Sequence, residues 1–121
     1  MSANVAANNE AFSTWTSAMQ SRIETVLDQH MPTDKIIPAH LHAAMRYATL
    51  GGGKRVRALL TYAAASFCNA DSKKADAAAA AVELIHAFSL VHDDMPCMDD
   101  DDLRRGKPST HKQYGDATAL L

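Results

Sequence analysis

Apolar positions recur along most of this chain at steps of three and four, the spacing of an amphipathic helix. Phe12, Trp15, Met19, Ile23, Val26 and Leu27 follow that spacing, and Met31-Pro32 closes the run. Ahead of them residues 1–10 are polar and rich in Ala and Asn, a disordered N-terminus by expectation. A shorter helical stretch carries Leu41, Ala44, Met45 and Ala48 and stops at Gly51-Gly52-Gly53. A third runs from Val56 through Leu59, Leu60, Ala63, Ala64 and Phe67 to a turn at Asn69-Ala70-Asp71. The fourth starts near Ser72 and continues through Val82, Leu84, Ile85, Phe88, Leu90 and Val91. It is apolar nearly all round, as a central, buried helix is. Trp15, Met19, Met31, Met45, Phe88 and Cys68 read as packing residues. No segment alternates with a period of two, so the predicted fold is all-α.

After Gly115 the segment from Asp116 to Leu121 reads as a helix just beginning, with no closing signal. The fourth helix also needs more apolar partners than three other helices supply. Residues 11–121 are therefore expected to form the front part of a larger helical domain.

Charge narrows the partners. A formal net charge of −2 provides no global field for nucleic acid or an anionic membrane. Cys68 and Cys97, without paired C-x-x-C spacing, point to a reducing compartment and away from a zinc site. No apolar run approaches the roughly 20 residues of a membrane span, so a soluble cytoplasmic protein is expected.

The chemistry concentrates where the fourth helix ends. Six aspartates stand between Asp93 and Asp102, broken by Met95-Pro96-Cys97-Met98 and followed by Leu103-Arg104-Arg105-Gly106-Lys107. Asp93 and Asp94 face the negative end of the helix dipole, an unfavourable place that a cation or counter-charge would reverse. Carboxylates suit Mg2+, Mg2+ suits polyphosphates, and guanidiniums grip the remaining oxygens. His86 precedes Asp93 by two helical turns, which places both on one face. The bland readings are plain: an acidic run is usually solvated, a glycine run usually ends a helix, and a histidine on an apolar helix is usually core. Asp100, Asp101 and Asp102 read as a solvated extension. Neither a calcium loop nor a P-loop fits, since D-x-D-x-D-G and G-x-x-x-x-G-K-[ST] are both missing.

Three stretches taken together outweigh those readings. Gly51-Gly52-Gly53-Lys54-Arg55-Val56-Arg57, the run Leu84 to Asp94, and the run Met95 to Pro108 resemble the trans-prenyltransferase (polyprenyl synthetase) family, nearest its bacterial farnesyl diphosphate synthase or geranyltranstransferase branch. The resemblance implies the N-terminal portion of the isoprenoid synthase helical fold. It implies head-to-tail condensation of isopentenyl diphosphate with dimethylallyl or geranyl diphosphate through an allylic carbocation. Asp93 and Asp99 would be the Mg2+ ligands, with Asp94 in support, and Arg104 would pair with the allylic diphosphate. Gly53, Lys54, Arg57, His86 and Arg105 would take the diphosphate of isopentenyl diphosphate. Phe88 and Ser89, just before Asp93, would set product length, and a bulky Phe88 implies fifteen carbons. Family members imply a homodimer. The family's second aspartate-rich motif does not occur in these residues, so this chain by itself is expected to be inactive. The alternatives are a geranylgeranyl diphosphate synthase, a non-catalytic partner subunit that binds Mg2+ and diphosphates, and a plain helical interaction module.

Overall fold

The computed structural model describes residues 2–121. It contains α1 (Ser2–His30), α2 (Ala39–Thr49), α3 (Val56–Phe67), α4 (Ser72–Asp93), α5 (Thr110–Tyr114) and α6 (Asp116–Leu120). Between α4 and α5 a tight antiparallel hairpin pairs β1 (Leu103–Arg104) with β2 (Lys107–Pro108). The all-α expectation therefore stands, apart from two strands too short to show an alternating pattern.

The core forms where α1, α3 and α4 meet. Ile23, Val26 and Leu27 from α1, with Met31 just after it, pack on Ala58 and Tyr62 of α3 and on Ala75, Ala79 and Ala80 of α4. The alanines keep α3 and α4 close, because a small side chain leaves the axes free to approach. Ile23 and Leu27 are fully buried, and each such side chain contributes about 1.5–3 kcal/mol. α2 and α6 pack beside α4, and α5 packs on α2 and α6. The Tyr47 hydroxyl donates to the Pro108 carbonyl (2.6 Å).

Four expectations need correction. Residues 2–10 are not a disordered lead but continue α1 without a break. Every side chain from Ala3 to Ala11 is exposed, and no apolar rhythm marks that stretch. α4 is not buried all round: one side packs, while Val82, Ile85 and Phe88 lie open. Phe88 is thus not core, and Met45 and Cys68 are exposed as well. Finally, α4 is long and apolar enough by length and composition alone to cross a membrane. It nevertheless packs against α1, α2, α3 and α6, and it buries Glu83 in the process.

Candidate functional site

Two groups of charged residues face the end of α4. The first is built on the glycine loop. Gly51, Gly52 and Gly53 all have positive φ, a region that side chains with a Cβ rarely enter. At Gly53 a Cβ would lie 2.6 Å from Arg105 Nη1, and the same Nη1 donates to the Gly52 carbonyl (2.9 Å). Lys54 follows, and Arg57 sits in the first turn of α3 facing His86 on α4, with Arg57 Nη1 3.4 Å from His86 Nε2. Burial, and then the Arg57 charge, push the His86 imidazole below its ordinary value, so it rests neutral. Gly53, Lys54, Arg57, His86 and Arg105 all line one cavity of about 260 Å³. Arg104 joins them there, whereas Asp93 does not, despite its helical register with His86.

Arg55, between Lys54 and Arg57, does something else. It adopts left-handed backbone (φ 53°, ψ 37°) as the N-cap of α3 and has no side-chain acceptor to cap the helix. Glu83 of α4 supplies one: its Oε1 accepts from the Ala58 amide (3.1 Å) while Oε2 accepts from Arg55 Nη1 (3.1 Å). A single carboxylate thus serves an orphan helix amide and one nitrogen of a buried guanidinium.

The second group is the acidic loop. Met95-Pro96-Cys97-Met98 forms a closed turn, with the Asp99 amide donating to the Asp93 carbonyl (2.8 Å) and the Asp101 amide to the Asp94 carbonyl (3.0 Å). The four inserted residues thereby bring Asp99 back beside Asp93. Among the described residues neither Asp93 nor Asp99 forms an ion pair. Asp93 is half-buried and Asp99 exposed. Free oxygen donors with access to solvent fit a hard divalent cation. Asp94 is different: Arg104 Nε and Nη2 donate to its carboxylate at 2.7 and 2.8 Å. The Asp94 side chain is only 2 % exposed, so it faces a guanidinium rather than open solvent.

The sequence reading passed over His111, which is buried. Ser109 Oγ donates to the Asp101 carbonyl (2.7 Å) and lies 3.3 Å from His111 Nδ1. Ligand atoms of Asp100, Asp102 and His111 lie within 4.8 Å of one another, and Lys112 Nζ neutralises Asp102 at 3.2 Å. An imidazole in the set suits softer metals than Mg2+.

Phe88 and Ser89 do not share a cavity. Phe88, its ring 4.4 Å from that of His92, lines an apolar cavity of about 190 Å³ with Met31, Leu41, Ala44 and Met45. Ser89 lies across α4, in the open hollow of Leu60, Val82 and Ile85.

A crystal structure of an FPP/GFPP synthase from Zymomonas mobilis aligns with this chain at a TM-score of 0.84 and 44% identity, covering 89% of this chain and 39% of that one. Its helical scaffold and this one are the same isoprenoid synthase fold. Among curated proteins, "Geranylgeranyl pyrophosphate synthase 4" of Arabidopsis thaliana is 52% identical over 106 residues, 85% of this chain and 28% of that protein. "Farnesyl diphosphate synthase" of Haemophilus influenzae is 48% identical over 110 residues, 91% of this chain and 37% of that protein. The chain thus spans well under half the length of these relatives. The family model "Polyprenyl synthetase" matches residues 38–121, and the chain belongs to that family.

Proposed function

We propose that this chain is the part of a trans-prenyltransferase that takes isopentenyl diphosphate on Gly53, Lys54, Arg57, His86 and Arg105. The observation that carries this reading is the convergence of those five residues, from three separate segments, on one cavity. Asp93 and Asp99 would hold Mg2+, which when bound supplies charge neutralisation for the departing allylic diphosphate. Arg104 uses Nε and Nη2 on Asp94, so its Nη1 is the donor for the allylic diphosphate. Asp94 aims that guanidinium and holds it there. The allylic C–O bond breaks, pyrophosphate leaves, and the double bond of isopentenyl diphosphate forms the new C–C bond before a proton is lost. Apolar walls must keep water from the cation in between.

Farnesyl diphosphate is the product we favour, because Phe88, five residues before Asp93, lines the apolar cavity. Geranylgeranyl diphosphate is the second reading. The openness of Phe88, 59 % exposed, favours it, since such a ring does not close a floor. The setting proposed is the cytoplasm, with a homodimer in the whole enzyme.

Inorganic pyrophosphate tests the site and labelled isopentenyl diphosphate tests the reaction. Arg57→Ala should weaken calorimetric pyrophosphate binding about tenfold or more, the loss of a charged hydrogen bond. With geranyl diphosphate and Mg2+, the 121-residue chain alone should give no product. Binding indifferent to Arg57 would sink the proposal. Farnesyl product from the chain alone would show that one aspartate motif suffices.

A further inference from the structure

The glycine loop is held from behind by α1, a helix that lies wholly ahead of the matched residues 38–121. Glu24 Oε1 accepts from the Gly51 amide (2.7 Å) and lies 3.4 Å from the Gly52 amide. Its Oε2 accepts from Arg55 Nη2 (2.9 Å). One turn earlier on the same face, Gln20 Nε2 donates to the Lys54 carbonyl (3.1 Å). Arg55, its side chain 7 % exposed, completes the frame by reaching Glu83 and the Thr49 carbonyl. Burial pulls the Glu24 carboxyl upward, but the Gly51 amide, then the Arg55 guanidinium and the Gly52 amide, hold it below the usual carboxylate range.

We infer that Glu24 is a positioning residue for the diphosphate cavity: it clamps the Gly51 and Gly52 amides and, through Arg55, the start of α3. This inference rests on the diphosphate reading given above. A triple-glycine segment has the widest choice of conformations, and ordering it on each binding event would weaken binding. The clamp supplies that order in advance and leaves the Gly53 backbone, Lys54 and Arg57 facing the cavity.

Charge alone predicts the opposite result. Removing a carboxylate beside an anion site makes the site more positive and should strengthen anion binding. Positioning predicts weaker binding, so the sign decides.

The experiment titrates the chain with inorganic pyrophosphate in metal-free buffer, which leaves the aspartates silent, and follows amide exchange at Gly51 and Gly52. Glu24→Ala should weaken binding on the order of tenfold, the equivalent of about 1.4 kcal/mol. Glu24→Gln, which keeps an acceptor for the amides but not the charge for Arg55, should fall between. Both should speed exchange at the two glycines. Asp76→Asn removes the charge that pairs with Arg22, elsewhere on α1. It should lower stability with affinity unchanged, the pattern that a merely structural Glu24 would share and that a positioning Glu24 would not. If Glu24→Ala fails to fold, Glu24→Gln decides. Equal or tighter pyrophosphate binding in a folded Glu24 variant overturns the inference alone. Should the unaltered chain bind no better than a Lys54→Ala, Arg57→Ala double variant, the diphosphate reading falls and the inference with it.

Discussion

His86 shows how one residue's surroundings set its chemistry. Burial and the neighbouring Arg57 keep the imidazole neutral, while a diphosphate in the same cavity would favour the imidazolium. The sign follows. The free chain has its His86 titration below the ordinary value near 6.5, and bound pyrophosphate raises it. Binding should therefore strengthen as pH falls through the raised value, with proton uptake. Proton NMR of the imidazole, with and without pyrophosphate, reads both positions. His86→Gln should flatten the pH dependence, and an unmoved titration would remove His86 from the site. Gly53 is a second residue-scale case. Gly53→Ala combines a strained φ of +102° with a Cβ 2.6 Å from Arg105 Nη1. A strained backbone costs about 1–3 kcal/mol. Thermal unfolding should register that loss, and calorimetry should show weaker pyrophosphate binding as Arg105 is displaced.

At the scale of elements, the tie between α1, α3 and α4 is polar as well as apolar. The Tyr62 hydroxyl donates to Asp76 Oδ1 (2.8 Å), and Arg22 Nε and Nη2 donate to the same carboxylate at 2.7 and 2.8 Å. Burial, and then the Asp76 carboxylate, push the Tyr62 phenol up to about 12. A folded-state value raised above the unfolded one stabilises the chain fully below the unfolded value. That contribution is lost as pH rises through the folded value. The window therefore opens near 10, the ordinary tyrosine value. Ultraviolet absorbance, as the difference between the chain and its Tyr62→Phe variant, should show the Tyr62 phenol ionising above the ordinary tyrosine value, and Tyr62→Phe should remove its share of the alkaline destabilisation. α2, α3 and α4 were legible in the sequence because Gly51–Gly53 and Asn69-Ala70-Asp71 punctuate periodic runs. The start of α1 was not, because a wholly exposed helix carries no apolar rhythm. The β1–β2 hairpin was hidden for the same kind of reason: two residues cannot show a period of two. The cap of α3 escaped because its acceptor, Glu83, arrives from another helix. The candidates Gly53, Lys54, Arg57 and His86 were legible from motif and register and do line one cavity, whereas Asp93, Phe88 and Ser89 of α4 do not join them there. The grip of Arg104 on Asp94 depends on the turn of the acidic loop, which only the folded chain displays.

For the whole molecule, the main tension is between an α4 that is apolar nearly all round and neighbours that cover one side of it. Leu60 is 65 % exposed, Ile85 67 % and Val82 37 %, and together they line an open hollow beside Arg57, His86 and Ser89. Contiguous apolar surface of this kind is rare on a soluble monomer and tends to find a partner. An isologous contact between two copies would bury it twice over and would bring the two His86 faces together. The chain should therefore self-associate as its concentration rises, and it should bind an apolar dye at low concentration. Sedimentation velocity over a concentration series checks the first and dye fluorescence the second. Ile85→Glu should shift the series toward monomer, because a carboxylate cannot enter a dry contact unpaired. It should leave the α1–α3–α4 core intact, since Ile85 takes no part in that core. A monomer at every concentration, with no dye signal, would mean that the remaining side chains already shield the hollow. The apolar back of α4 would then be an ordinary solvent face.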